Sequence, residues 1–245
     1  MNNLKQKINN FIKKDYKSPN LNCGFMINPY VFRIKGPITI DTTVTSNSTL
    51  TPSITIGSNS NRLIIVSVGY KHTGAASISS ITCGALSLTK ATTSNVSGGF
   101  WYEDIWYGIA PPTGSQTVTV TFASGSPAYA IGIASLYNCD QSTGINTSAN
   151  NTAGANSTAA RTINVTPTNT SSWILAAVMD ENNTSGLSSP NKTNFFAVIL
   201  DSSSANFRHV MQYYSAPTIN SANTLSWAGT AGGHWNIVGI EVMAG

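Results

Sequence analysis

The chain has 245 residues, of which 9% are charged and 41% are hydrophobic. Serine, threonine and asparagine number 31, 29 and 26, and together they make up 35% of the chain. A long helical protein is excluded because the chain is poor in the charged and straight-chain residues that favour helices. Disorder along most of the chain is disfavoured because aliphatic and aromatic clusters recur. We therefore expect a β-rich protein with a polar surface.

The charge is concentrated at the N-terminus. Residues 1–40 carry a net charge of +6, whereas residues 41–245 carry −2. A basic body surface for nucleic acid is therefore not supported, and we do not expect nucleic acid as a partner. The basic N-terminal segment could still contact a phosphate backbone, an anionic membrane or an acidic protein partner.

Residues 2–15 have the apolar spacing of an amphipathic helix. Leu4, Ile8, Phe11 and Ile12 fall at i, i+4, i+7 and i+8, which places them on one helical face. So short a helix is marginal in isolation, which predicts docking onto a partner subunit. A frayed solvated tail and contact with a membrane are the alternatives. The candidate docking residues are Leu4, Ile8, Phe11, Ile12, Lys5, Lys13 and Lys14.

Residues 16–50 indicate an extended connector. Pro19, Pro29 and Pro37 interrupt this stretch and exclude a long helix. Tyr30, Phe32 and Ile34 alternate like strand residues, so the connector could pair with the body or with a neighbouring molecule. The predicted organisation is an N-terminal basic arm over residues 1–50 and a body over residues 51–245.

The body shows short strands separated by clusters of Ser, Asn, Gly and Pro, which is typical of a β-sandwich. Val118, Val120 and Phe122 alternate with threonines, so this strand has one core face and one solvent face. Nearly continuous apolar runs predict central strands covered on both faces, at Leu63 to Val68, Ile174 to Val178 and Phe195 to Leu200. We expect an all-β, antiparallel sandwich of jelly-roll or immunoglobulin-like type with about 10–12 strands.

An internal similarity suggests two related halves. Tyr107 and Tyr214 lie in similar strand segments, as do Gly132 and Gly239, and both pairs are 107 residues apart. The Asn, Thr and Ala-rich stretch 141–160 would link the halves. Chance similarity in a chain of biased composition is the competing explanation.

Several segments resemble a β-sandwich module found in bacterial surface proteins and in the virion proteins of tailed phages. They are Ser60 to Val66, Ile81 to Gly84 with Leu88 and Thr89, Glu103 to Tyr107 with Pro111 and Pro112, Asp140 with Gln141, and Trp235 to Val242. The resemblance covers about residues 51–245, and it implies a sandwich without shared catalytic residues. Cys83 stands where this family more often has Tyr, and residues 1–50 match no part of the module.

Enzyme signatures are not found in the sequence. His72, His209 and His234 are isolated from one another, and no GxSxG motif or phosphate-binding glycine loop occurs. Glu103 and Asp104 are adjacent in a predicted strand and should point to opposite faces, which argues against a paired-carboxylate site. We expect neither catalysis nor a cofactor.

Metal and disulfide sites are not expected either. Asp180 and Glu181 beside two asparagines could bind calcium, although a solvated turn is favoured. Cys23, Cys83 and Cys139 are an odd set without CxxC spacing, and we interpret them as small packing residues. A pair between Cys83 and Cys139 remains open.

The cellular location is inferred from two properties of the sequence that disagree, the surface composition and the targeting signals. The surface composition resembles that of extracellular proteins, yet no secretory h-region precedes Pro19 and no apolar run is long enough for a membrane span. A virion component, made in the host cytoplasm and used outside the cell, would have both properties. A non-standard secretion route would also have them.

The leading hypothesis is a non-enzymatic structural protein of a tailed-phage virion, of the capsid decoration or head fibre type. Capsid or tail proteins would be its partners, and we expect a homo-oligomer. The alternative is an adhesin or carbohydrate-binding module on a bacterial surface or phage fibre, with glycan stacking on Trp101, Trp106 or Tyr107. Core packing of the same aromatic residues is the competing interpretation.

Overall fold

The computed structural model describes residues 36–72, 77–96, 100–153, 160–181, 187, 190–200, 207–228 and 233–245, without the side chains of residues 153 and 194–200. These residues form strands, turns and loops, and no helix occurs among them that could span a membrane. Every strand pairing is antiparallel. The all-β, antiparallel class predicted from composition is therefore confirmed, whereas the N-terminal helix lies outside the described residues.

Sixteen strands form within the described part of the chain, more than the 10–12 expected, because some are very short. Their bounds are β1 Thr39–Ser46, β2 Ser53–Ile56, β3 Leu63–Lys71, β4 Ile78–Cys83, β5 Leu86–Ser87, β6 Thr89–Asn95, β7 Trp101–Ile109, β8 Gly114–Phe122, β9 Ala128–Tyr137, β10 Ile145–Ala153, β11 Arg161–Val165, β12 Trp173–Asp180, β13 Thr193–Leu200, β14 Phe207–Tyr214, β15 Asn223–Trp227 and β16 Trp235–Val242.

The strands are arranged in four sheets. The first central sheet has the order β1-β9-β3-β7-β6, and the first outer sheet has the order β2-β8-β4-β5. The second central sheet has the order β10-β16-β12-β14-β13, and the second outer sheet pairs β11 with β15. Strand β1 lies within the segment predicted as a connector, and it pairs with β9 of the body.

The strand orders show that the two halves share one topology. If β1, β9, β3, β7 and β6 are matched to β10, β16, β12, β14 and β13, the two central sheets have the same order. Gly132 and Gly239, which the sequence similarity matched, occupy β9 and β16. Tyr107 and Tyr214 occupy β7 and β14. The predicted repeat therefore has a counterpart in the fold.

Three hydrophobic cores separate the four sheets. The central core lies between the two central sheets and contains Leu63, Ile65, Leu175 and Val238. A first outer core, around Ile64 and Val66, lies between the first central and first outer sheets. A second outer core lies between the second central and second outer sheets, with Ile174, Val178, Leu225 and Trp227. The central sheets are therefore covered on both faces.

This layering explains the apolar runs in the sequence. The prediction of central strands is confirmed for Leu63 to Val68 and for Ile174 to Val178, because β3 and β12 lie in the middle of their sheets. The prediction was wrong for Phe195 to Leu200, because β13 is the outermost strand of its sheet. An apolar run reports coverage by neighbouring layers, and this does not depend on whether the strand has one or two partners.

The two described cysteines are free and lie in different cores, so they do not form a pair. Cys83 belongs to the first outer core and Cys139 to the central core. Burial raises the pKa of the Cys83 thiol to about 11 and that of Cys139 to about 12. Both thiols are therefore protonated at neutral pH and act as small apolar groups. Cys23 lies outside the described residues.

Candidate functional site

The antiparallel sheets give the body two distinct ends. At the first, here called the proximal end, β1 begins and β9 and β16 end. Asn138 Nδ2 donates to the Pro37 carbonyl at 2.9 Å, and Gly245 N donates to the Asn138 carbonyl at 2.8 Å. Because Gly36 and Pro37 lie here, the preceding residues join the body at the proximal end.

The opposite end of the body is here called the distal end. The strands that finish there are β3, β6, β8, β10, β12, β13 and β15. The strands that begin there are β7, β9, β11, β14 and β16. The chain connections at this end are rich in Gly, Ser and Asn, as are several of those at the proximal end. Connecting segments of this kind commonly carry binding residues on a rigid scaffold. Because the residues before Gly36 join the body at the proximal end, that end is the candidate attachment end, and the distal end is the candidate recognition end.

The predicted docking residues of the arm, Leu4, Ile8, Phe11, Ile12, Lys5, Lys13 and Lys14, lie outside the described residues. Their role as a docking face therefore remains a prediction from the sequence.

The aromatic residues suggested for glycan stacking all lie on β7 and alternate between two cores. Trp101 faces the central core, where Phe207 packs edge-on against it with ring centroids 6.1 Å apart. Trp106 faces the first outer core, and Tyr107 packs half-buried against the central core. Trp101 is 3% exposed and Trp106 is 7% exposed, so neither offers a ring face to a sugar.

A chain of stacked and charged groups crosses the seam between the two halves at the distal end. Lys71 Nζ lies 4.1 Å from the centre of the Trp101 ring, and Trp101 stacks on His234 with centroids 6.1 Å apart. His234 Nδ1 in turn lies 2.6 Å from Glu181 Oε2. These contacts tie β3 and β7 to the strand ends of β12 and β16 by cation–π and charge-assisted interactions.

A second polar cluster lies buried in the central core. Ser67 of β3 donates from Oγ to Glu103 Oε1 of β7 at 2.7 Å. His209 of β14 places Nε2 2.8 Å from Ser67 Oγ and 3.1 Å from Glu103 Oε1. All three residues are fully buried. Because Ser67 and Glu103 belong to the first half and His209 to the second, the cluster joins the two halves through polar contacts.

The geometry of this cluster differs from that of a hydrolase triad. In a triad the carboxylate contacts one ring nitrogen of the histidine and the serine contacts the other. Here Glu103 and Ser67 both contact Nε2, and the three side chains are closed to solvent. The arrangement therefore suits a buried polar joint, in which a charged group must be paired to be tolerated.

Sequence reasoning missed this cluster. In the chain, His209 is separated from Ser67 by 142 residues and from Glu103 by 106 residues. Only the internal repeat related the strands that carry these residues. The available signal was a carboxylate and a histidine inside otherwise apolar strands. Such residues in a core position require a partner, although the sequence does not name it.

The prediction that Glu103 and Asp104 point to opposite faces is confirmed. Asp104 lies on the outer-core face of β7, where it accepts a hydrogen bond from Thr93 and pairs with Lys90 Nζ at 2.9 Å. Glu103 lies on the central-core face. Two carboxylates separated by the sheet cannot act together on one substrate.

The carboxylates considered for calcium contact basic side chains of the protein. Asp180 Oδ2 pairs with Arg161 Nε at 2.7 Å inside the second half, and Glu181 pairs with His234. Within the described ranges, no group of three acidic, His or Cys side chains is arranged to hold a metal ion.

The junction between the halves carries a capped turn. Asp140 Oδ1 accepts hydrogen bonds from Ser142 Oγ at 2.6 Å and from Thr143 N at 2.7 Å. These hydrogen bonds, with that from the Ser142 hydroxyl the largest influence, lower the pKa of Asp140 to about 2. Asp140 N also donates to the Met243 carbonyl at 2.9 Å, so the turn links the end of β9 to the residues after β16.

Comparisons with known proteins do not assign this arrangement to a family. No protein-family model matches the chain, and neither a curated protein nor a solved structure is detectably similar to it.

Proposed function

We propose that this chain is a non-enzymatic structural protein of a tailed-phage virion. In this proposal the N-terminal arm anchors the protein to the capsid or tail, and the β-sandwich body projects outward as a decoration or fibre-type module. The protein would occupy the virion after synthesis in the host cytoplasm, and it would assemble as a homo-oligomer or on an oligomeric lattice.

The proposal rests on the observation that the N-terminal segment joins the body at one of its two ends. The basic segment joins the body at the proximal end, through Gly36 and Pro37, and the distal end lies at the opposite ends of the strands. A module attached at one end and displayed at the other needs this separation. The charge distribution agrees, since residues 1–40 carry +6 and residues 41–245 carry −2.

The interior of the body also supports a structural role. Its buried carboxylates at positions 103, 104, 180 and 241 each contact protein donors or cations. Glu241, for example, accepts hydrogen bonds from the backbone N of Thr168 and of Asn169 at 3.0 and 3.1 Å. Groups held in this way stabilise the fold and are not positioned for a substrate.

The arm would act by two kinds of contact. The apolar residues Leu4, Ile8 and Phe11 would lie in a groove of a capsid or tail protein, as amphipathic helices do in helix-in-groove recognition. The lysines would pair with acidic side chains and orient the encounter. Removing either contact should release the protein from the particle without unfolding the body.

Incorporation into particles tests the proposal. We expect the paired change Lys13→Gln and Lys14→Gln, and separately Phe11→Asp, to lower the copy number per purified particle at least several-fold. The matched control is Ser53→Asp with Thr55→Asp, which alters net charge by the same amount on exposed positions of β2. Full occupancy by both arm variants would contradict the proposal, as would equal loss in the control.

Self-association is measured separately, by size-exclusion chromatography with light scattering. The full chain should form a defined oligomer, and a shortened chain should not. The structure sets the boundary for this comparison, because the compact unit begins at Lys35 and Ile38 is buried in the central core. The shortened chain should therefore begin at Lys35, since a start at Asp41 would remove Ile38 and the first residues of β1. Identical monomers would exclude self-assembly through the arm.

A further inference from the structure

A small pocket lies at the distal end of the first half, where the chain crosses from the first outer sheet to the first central sheet. It has a volume of about 270 Å³ and lies around the β8–β9 corner, between Phe122 at the end of β8 and Tyr129 near the start of β9. Leu50 and Val120 extend its apolar wall, and the exposed residue Ser126 lies at its rim.

The two aromatic rings of the pocket, Phe122 and Tyr129, are supported by packing against other aromatic residues. The Phe122 and Tyr129 rings are half-buried, with centroids 6.5 Å apart and planes tilted by 38°. Tyr70, which is 1% exposed, packs against Phe122 edge-on at 5.2 Å. Tyr70 is itself stacked on Tyr102 at 4.7 Å. A ligand would therefore meet rings that are already ordered, which lowers the entropic cost of binding.

The lining restricts the chemistry of the ligand. None of the described residues that line the pocket is acidic or basic, so the ligand should be neutral. The volume lies below the range of pockets for drug-sized molecules, which limits the occupant to about one ring. Half-exposed aromatic rings beside the Ser126 hydroxyl suit a ring with an apolar face and a polar edge.

We infer that this pocket binds a single neutral sugar ring, with its apolar face against Phe122 and Tyr129 and its hydroxyl groups toward Ser126. The inference keeps the idea of glycan recognition but moves it from Trp101 and Trp106, which are buried, to the distal corner. It does not depend on whether a virion carries the protein, although a recognition site at the distal end would suit outward display.

Ligand-observed saturation-transfer NMR tests the inference on the full chain. The probes are the methyl glycosides of glucose, galactose, N-acetylglucosamine and N-acetylgalactosamine, with phenol as an apolar probe. We expect at least one glycoside to bind, and Tyr129→Ala to weaken its affinity about tenfold, the size of effect that one lost aromatic contact produces. Tyr129→Phe keeps the ring and should retain most of the binding.

Two further variants make the result interpretable. Ser126→Trp fills the pocket from an exposed loop position and should abolish binding even if Tyr129→Ala perturbs folding. Tyr214→Ala removes an equally half-buried tyrosine in the second half and should leave affinity unchanged. The inference is overturned if no glycoside binds, if Ser126→Trp binds like the parent, or if phenol binds and no glycoside does. The last result would assign the pocket to an apolar side chain of a protein partner.

Failure here would leave the virion proposal intact, because that proposal is tested by incorporation into particles. Conversely, glycoside binding by a protein that never enters particles would support a surface adhesin or carbohydrate-binding module.

Discussion

The two halves cover central sheets of the same strand order with different outer sheets. In the first half, the outer sheet has four strands, and β4 hydrogen-bonds to one side of β8 while β2 pairs with the other. In the second half, the matching strand β15 pairs with β11 alone among the described strands. The equivalent central sheets do not require equal outer sheets.

One asparagine occupies part of the position that β4 has in the first half. Asn191 Nδ2 donates to the Thr224 carbonyl at 2.9 Å, and Asn191 Oδ1 accepts from Ser226 N at 2.9 Å. Asn191 N also donates to the Ser226 carbonyl at 3.1 Å. An asparagine side chain can thus satisfy the edge of β15 as a neighbouring strand would. The comparison teaches that a sheet edge can be terminated by local side-chain contacts.

The buried interiors differ as well. The first outer core holds the stacked pair Tyr70 and Tyr102. The second half instead contains the buried Arg161–Asp180 ion pair, and the Arg161 guanidinium lies near the Trp235 ring. Between them, the central core holds the polar cluster of Ser67, Glu103 and His209. Charged groups are therefore placed inside a protein with few charges overall, and each is held by a partner.

The largest effect should come from breaking the contact between halves. Glu103→Ala would leave Ser67 and His209 buried without their carboxylate partner, and it should lower the free energy of unfolding by about 3–5 kcal/mol. Denaturant unfolding would measure this. The matched control is Glu181→Ala, which removes another Glu–His contact in which the side chains are 33% and 27% exposed. That change should cost about 1 kcal/mol or less. Equal costs for the two variants would mean that the buried cluster does not join the halves energetically.

The next effect concerns the second half alone. Arg161→Met should leave the buried Asp180 without its main cation and lower the unfolding free energy by about 3 kcal/mol. Adding Asp180→Leu should restore much of the loss, because an apolar pair needs no desolvation of charge. The measurement is a double-mutant cycle by denaturant unfolding. Additive losses from the two changes would argue against coupling between these side chains.

The sequence predicted the repeated, layered part of the fold well. The alternation in β8 and the nearly continuous apolar runs in β3 and β12 depend on which faces of the strand are buried. Neighbouring residues in the sequence record this burial pattern. The alternation on β7 also separated Glu103 from Asp104 and Trp101 from Tyr102. Strand position within a sheet depends on pairing between distant segments, so β13 was taken for a central strand.

The candidate sites were less predictable for the same reason. His209 meets Ser67 and Glu103 only after two halves more than a hundred residues apart have packed together. The distal pocket requires Leu50, Phe122 and Tyr129 to meet at a corner between two sheets. Neither arrangement has a fixed spacing in the chain. The aromatic residues of β7 that were considered for glycan stacking pack in the cores instead, because both faces of that strand are covered by other layers.

A smaller effect is expected at the edge of β15. Asn191→Ala removes two side-chain hydrogen bonds at a surface position and should lower the unfolding free energy by about 1 kcal/mol. Hydrogen exchange at the Ser226 amide should accelerate, because that amide donates to Asn191 Oδ1. Asn150→Ala, at an exposed position of β10, is the control and should leave this amide unaffected. Unchanged exchange in Asn191→Ala would show that the edge is protected by other means.

The smallest effect should occur at the junction between the halves and should depend on pH. The pKa of Asp140 is lowered in the folded state to about 2, so the ionised form contributes stability above the pKa of an unfolded aspartate, about 3.9. That contribution is lost as the pH falls from about 4 to about 2. Because the carboxylate is largely in contact with solvent, we expect less than about 1 kcal/mol at neutral pH.

Asp140→Asn isolates this contribution. The variant should be slightly less stable than the parent at pH 7, and the difference should shrink toward zero at pH 2, where the parent carboxyl is increasingly protonated. Unfolding free energies measured across that range would test both the sign and the pH interval. A difference that is constant with pH would show that the ionised charge of Asp140 is not the cause, since an amide oxygen can also accept from Thr143 N but cannot titrate.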